Sequence, residues 1–158
     1  MTRTLSPSLK LISIDGFPGH FPASAKRYRA LIGIGGNVGN TPRRFKRLLR
    51  YLGDFPLIDV IGTSPILKNP PFGYLDQADF HNAVMLIRTN RQPHELLRIL
   101  LRIEKRFGRR RSFPNAPRTL DLDIIFFESK KLYNKQLTIP HPNWTERESV
   151  LIPLTYLR

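Results

Sequence analysis

The chain contains no cysteine, so disulfide bridges and thiolate-bound metal centres are excluded at the outset. It is also poor in acid: 12 Asp and Glu stand against 26 Lys and Arg, a formal net charge of +14. With so few carboxylates, two that fall close together ask for a functional explanation. No apolar run approaches the roughly 20 residues of a membrane span. The N-terminal stretch has a broken apolar patch and no small-residue cleavage site, so no secretory leader, no membrane partner and a cytoplasmic location are expected. What is present is 41% hydrophobic and 10% aromatic residues in 158, enough to fold one domain around a real core. The surplus of cations calls for an anionic partner, whether nucleic acid, acidic lipid or a highly charged small molecule.

Residues 1–27 read as an N-terminal extension. Leu9, Leu11, Ile12 and Ile14 suit a short added strand, while Phe17, Pro18, Gly19 and Pro22 break regular structure, so a partly ordered tail is expected. Residues 28–158 read as a single domain. Ala30 to Gly35 form a buried strand, and Thr41 caps a helix with Pro42 at its first position and a stripe of Phe45, Leu48, Leu49 and Leu52. A strand follows over 57–67, then a Pro-rich loop and a strand over 80–88. Pro93 opens a second helix with Leu96, Leu97, Leu100, Leu101 and Ile103. After the Asp-containing strand come a turn at 128–131, a short strand at 137–139 and a last helix capped by Thr145. The order β-α-β-β-α-β predicts an α+β, ferredoxin-like sandwich, two helices on one face of an antiparallel sheet, with an added hairpin and a C-terminal helix.

The richest segment is Pro117-Arg118-Thr119-Leu120-Asp121-Leu122-Asp123-Ile124. Apolar and polar residues alternate, so Asp121 and Asp123 share one face of a strand, roughly 7 Å apart. Two carboxylates that close repel unless a cation lies near, and hard oxygen ligands suit magnesium completed by substrate phosphates. Immediately upstream run Lys105, Arg106, Gly108, Arg109, Arg110 and Arg111. Alone these would be a solvated helix end, but arginine forks beside paired acids suit a nucleoside triphosphate. His141 lies between Pro140 and Pro142, a constrained backbone that aims its ring. The loop Asn69-Pro70-Pro71-Phe72-Gly73, with Phe80 and Asn82 two apart on a strand, suits a flat heterocycle: one ring to stack, one amide to bond its edge. Gly33 to Asn40 lacks the endings of a P-loop and reads as a turn whose glycines, Gly35 among them, let a ligand approach.

These pieces, in this order, resemble the 6-hydroxymethyl-7,8-dihydropterin pyrophosphokinase family over residues 28–158. The matching stretches are Gly35-Gly36-Asn37, Asn69 to Gly73 with Asp76 to Ala83, Glu104 with Gly108 to Arg111, Pro117 to Ile124, and Leu137 to Pro142 with Glu146-Arg147. The resemblance implies diphosphate transfer from ATP to the pterin hydroxymethyl group, releasing AMP. It implies that Asp121 and Asp123 hold two magnesium ions and that Arg109, Arg111 and Arg118 line the phosphates, with Arg109 and Arg118 at the transferred group. Ile124, Thr138 and His141 would meet the nucleotide. Gly35, Asn69, Pro70, Pro71, Phe72, Phe80, Asn82 and Arg147 would form the pterin pocket. No residue stands out as a general base. The expected partners are the two small substrates, with no nucleic acid and a monomeric chain.

Departures from the family pattern are Ser149, where a pterin-stacking Phe is common, Pro142 and Gln136, and a short 112–116 loop without an Arg-Trp pair. Phe113 and Trp144 are the candidates to replace the missing ring. Two rival readings remain: a basic ferredoxin-like module that binds nucleic acid, and a family member that binds its ligands without turnover. Against the first, acids inside a nucleic-acid-binding face oppose the phosphates they would meet.

Overall fold

The computed structural model describes residues 1–157. In chain order it comprises β1 (Thr2–Ser6), β2 (Leu9–Ile12), β3 (Gly19–His20), β4 (Tyr28–Gly36), α1 (Thr41–Gly53), β5 (Ile58–Thr63), β6 (Ile66–Asn69), β7 (Phe80–Thr89), α2 (Pro93–Arg106), β8 (Asp121–Phe127), β9 (Leu132–Tyr133), β10 (Thr138–Ile139), a 3-10 turn (Trp144–Glu146) and α3 (Glu148–Thr155). The antiparallel pairing β7-β4-β8, with β5 and β6 on the outer side of β7, is the ferredoxin-like arrangement expected.

Alternation along the strands sorts the side chains. Ala30, Ile32 and Ile34 of β4, Ala83, Met85 and Ile87 of β7, and Leu122 and Ile124 of β8 pack under Phe45, Leu48 and Leu52 of α1 and Leu96, Leu100 and Ile103 of α2. The opposite face is narrower: Leu31, Val84 and Ile125 meet Val150 of α3, with Leu86, Phe126, Trp144 and Leu154 around them. α3 therefore covers only part of that face, and the rest stays open as the floor of a site.

Four details differ from the sequence expectations. The strand read over 57–67 is two strands, because Pro65 interrupts the ladder. Ser64 repairs the break: its N–H donates to the Val84 carbonyl at 3.0 Å and its Oγ accepts the Val84 N–H at 2.9 Å. The α1 cap is Asn40, whose side chain accepts the Arg43 N–H, and Thr41 is the first helical residue. The last helix starts after Arg147 rather than at Thr145, which lies inside the 3-10 turn.

The N-terminal segment is the largest difference, for it is built into the sheet. β1 and β2 form an antiparallel hairpin, β2 pairs with β6, and β3 pairs with β5. Phe17 is fully buried, its ring 5.8 Å from that of Phe45. The sequence could not show this, because the strand partners lie 42 to 58 residues away and their pairing leaves no local pattern. Phe17→Ala is expected to destabilise the protein by about 3 kcal/mol in urea unfolding, as for other buried aromatics. A loosely attached tail would leave the unfolding midpoint unchanged.

Candidate active site

The site stands on three strands in register. Gly35 of β4 lies between Asn82 of β7 and Asp121 of β8, and Gly33 lies between Val84 and Asp123. Cross-strand partners in an antiparallel sheet point to the same face. The central strand therefore contributes a bare floor walled by two carboxylates on one side and an amide on the other. A Cβ on Gly35 would come within 2.5 Å of Asn82 Oδ1, and one on Gly33 within 3.2 Å of Ile125 Cδ1. Absence of side chain at these positions makes room for a ligand.

Two cavities meet at the two carboxylates, and the smaller of them stands on this floor. The larger, about 510 Å³, is lined by the Arg109–Arg118 loop with Asp121, Asp123, His141 and Arg147. The smaller, about 390 Å³, is lined by Gly33, Gly35, the Asn69–Phe72 loop, Phe80, Asn82 and Ser149 among others. Both touch Asn115, Arg118, Asp121, Asp123, His141 and Arg147. The acids thus sit at the junction between a basic basin and a pocket of mixed polar and apolar lining.

Asp121 is held by two arginines: Arg109 Nη1 donates to Oδ1 at 2.8 Å and Arg118 Nη1 to Oδ2 at 3.3 Å. Arg109 also donates to the Leu120 carbonyl at 3.1 Å. Behind them lies Glu104 of α2, 2% exposed, which accepts the Leu122 N–H at 2.7 Å and Arg111 Nη2 at 3.0 Å and stands 3.7 Å from Arg109 Nη1. Burial raises its pKa, opposed chiefly by the Leu122 hydrogen bond, with Asp121 adding to the rise and the arginines reducing it. Sequence reading quoted Glu104 but gave it no role. The signal was its position: Leu96, Leu100, Ile103 and Glu104 recur on one helical face, so this acid points into the core.

Asp123 has no such partner. Burial, then the charges of Asp121 and Glu104, push its carboxyl up to about 8, against weaker opposition from Arg147 and Arg109. Among the described residues no three acidic or histidine side chains form a ready-made metal centre. An uncompensated carboxyl beside a second one is nevertheless the donor set that a hard divalent cation suits, provided phosphates complete its shell. The residues fit magnesium.

Loop contacts enclose the junction. The Asn37 N–H donates to the Arg118 carbonyl and Asn37 Oδ1 accepts the Arg118 N–H, both at 2.9 Å. Its Nδ2 donates to Gln77 Oε1 at 2.8 Å, and Gln77 Nε2 donates to the Asn115 carbonyl at 2.8 Å. Three loops, after β4, before β7 and before β8, are thereby tied together. Tyr74 and Phe113 add an edge-on contact at 5.1 Å. The Arg118 guanidinium lies 5.0 Å from the Phe80 ring centre and that of Arg147 lies 5.1 Å from Phe72. Arg147 Nε is buried without a partner. His141 is pushed below the usual histidine range by burial and by Arg147, so it is neutral near pH 7.

All eight residues expected at the heterocycle line the smaller cavity, and Arg109, Arg111, Arg118, Asp121, Asp123 and His141 line the larger. Two nucleotide candidates fall elsewhere. Ile124 alternates with the aspartates and so points into the helix-side core, leaving only its backbone to meet a nucleotide. Thr138 is in β10 and lines neither cavity. Trp144 is not a replacement stacking partner: its ring packs edge-on against Phe126 at 4.8 Å, outside both cavities. Phe113 lines the basic basin against Tyr74 rather than the smaller cavity.

An acidic pair where a basic basin meets a second pocket suits a nucleotide-dependent group transferase. Comparison with known proteins refines that class: the chain belongs to the 7,8-dihydro-6-hydroxymethylpterin-pyrophosphokinase family, which matches residues 31–158. It is 46% identical over 128 residues to the 2-amino-4-hydroxy-6-hydroxymethyldihydropteridine pyrophosphokinase of Campylobacter jejuni, covering 81% of this chain and 82% of that protein. Identity to the same-named protein of Helicobacter pylori is 42% over 128 residues, covering 80% and 78%. A folate synthesis bifunctional protein of Arabidopsis thaliana is 41% identical over 80% of this chain, which spans 26% of that longer protein.

Two expectations follow from the charge network. Glu104→Ala strands the Leu122 N–H, unties Arg111 and leaves Arg109 to Asp121 alone among the carboxylates, and should cost about 3 kcal/mol in urea unfolding. For Asp123, a folded-state pKa of about 8 lies far above the ordinary 3.8. The stability it contributes is present below the ordinary value and lost as pH rises through the raised one. Metal-free Asp123→Asn should therefore match the parent near pH 4 and exceed its Tm at pH 8.5 by about 3 °C or more. Thermal melts in chelator across that range test it.

Proposed function

We propose that this chain transfers diphosphate from ATP to the hydroxymethyl group of 6-hydroxymethyl-7,8-dihydropterin, giving AMP and the pterin diphosphate, a step of folate biosynthesis. The observation that carries this reading is the placement of Asp121 and Asp123 where the basic basin meets the pocket that holds Phe72, Phe80 and Asn82. The pterin hydroxyl oxygen bonds to the β-phosphorus as the bond to the α–β bridging oxygen breaks. That oxygen leaves with AMP, and the hydroxyl proton passes to solvent. Each step of the exchange is in line, so the protein contributes position and charge rather than covalent chemistry.

The pterin ring lies against Phe80 in the smaller cavity, with Asn82 and Asn69 at its edge. Asn82 Nδ2 already donates to Asn69 Oδ1 at 2.7 Å, which fixes which amide atoms face the ligand. Arg147, with its unpartnered Nε, faces the same space. The triphosphate occupies the basic basin, where Arg109 and Arg118 exchange Asp121 for phosphate oxygens and meet the charge that develops on transfer. Arg111, tethered by Glu104, approaches the phosphates from the rim, and His141 donates without adding charge. Asp121 and Asp123 would hold two magnesium ions, which would supply positive charge to neutralise the triphosphate. The monomer is the proposed working unit.

AMP formation from ATP, magnesium and the hydroxymethylpterin tests the reading. Turnover should fall by about 100-fold or more in Asp121→Asn and in Asp123→Asn, comparable to loss of a principal transition-state electrostatic contact. An inactive parent protein that still binds both ligands would instead identify a binding protein without turnover. RNA binding that tightens when the two acids are neutralised would favour the nucleic-acid module.

A further inference from the structure

The hairpin of β1 and β2 lies outside the 31–158 family match, yet it joins the sheet next to the proposed pterin wall. Its register gives it a direct line to the site. Arg3 faces Leu11, Leu11 faces Leu67, Leu67 faces Asn82, Asn82 faces Gly35 and Gly35 faces Asp121. This row crosses six strands on one face of the sheet and ends at the acidic pair. Arg3 is exposed, but Leu11 is 6% exposed and Leu67 fully buried, so the row is packed rather than solvated from Leu11 to Leu67.

β6 is the strand that needs support. It is four residues long, pairs with β7 through only Leu67, Lys68 and Asn69, and runs straight into Pro70 and Pro71. Prolines have no N–H to extend the ladder. Without the hairpin, this part of β6 would be a short edge strand carrying Asn69 and the Pro-Pro-Phe wall at its loose end. Pairing of Lys10, Leu11 and Ile12 with Lys68, Leu67 and Ile66 makes it an interior strand.

We infer that the N-terminal hairpin is a positioning element for the acceptor pocket, acting through Leu11, Leu67 and Asn69 on the Asn69–Asn82 pair and the Phe72 wall. It contacts no substrate, and it lies on the β7 side of β4, away from the Arg109–Arg111 end of the nucleotide basin. The inference rests on the pterin reading above.

Leu11→Ala tests it, compared with Leu52→Ala on the helix-side core as a variant of general destabilisation. In Leu11→Ala the KM for the pterin should rise about threefold or more, as expected for a loosened wall, with the KM for ATP unchanged. The Leu52→Ala control should leave the pterin KM unchanged. An unaltered pterin KM in folded Leu11→Ala, equal rises for both substrates, or the same selective rise in Leu52→Ala would overturn the inference. Hydrogen exchange on the parent protein provides a second readout if Leu11→Ala does not fold. Pterin added to an ATP-analogue complex should slow exchange at Lys10–Ile12 beyond the analogue alone, and no added protection there overturns the inference. Failure of the parent to form AMP sinks the assigned reaction instead, and is distinguishable from both.

Discussion

The registration of β4 between β7 and β8 is the constraint from which the site follows. Because Gly35 is opposite both Asn82 and Asp121, the amide and the carboxylate are held one strand apart on either side of an empty lane. A slip of one residue on either neighbour would turn its functional side chains into the helix-side core. The apolar residues between them prevent that slip: Leu122 and Ile124 on β8, and Ala83 and Met85 on β7, are buried beneath α1 and α2. Hydrophobic burial on one face thus fixes the chemistry on the other.

Charge is arranged around this frame by partial neutralisation. Asp121 is satisfied by Arg109 and Arg118, and Glu104 by Arg111 and a backbone N–H, whereas Asp123 is left without a close cation. That uncompensated carboxyl is the counterpart of the proposed function: cations and phosphates entering together would relieve it. The same arginines that steady Asp121 are the ones that a triphosphate would engage, so the resting ion pairs hold them close to their working positions at little reorganisation.

Much of this was legible in the sequence because it is written locally. The alternation through Leu120–Ile124 places two acids on one face, and the Asn69–Phe72 and Phe80/Asn82 patterns assemble one pocket. What was not legible depends on distant partners. Glu104 acquires its role from arginines five and seven residues on and from a strand on the other side of the loop. Ser64 matters only because Val84 lies across from it. The integration of the first 20 residues depends on pairing with β5 and β6, and the burial of Phe17 on a helix that the chain has yet to make. Trp144, plausible as a ring for the pocket, is claimed by Phe126 on the sheet, a competition that composition does not reveal.

The chain carries a single tryptophan, and its indole is fixed edge-on to Phe126 just after the His141 turn and just before Arg147. That placement makes the protein its own optical probe of one segment. Ultraviolet emission would report the packing of the stretch that joins His141 to Arg147, free of signal from any second indole. Because this ring does not line either cavity, a change in its colour or intensity on ligand addition would register movement of the backbone it rides on, rather than direct contact with the heterocycle.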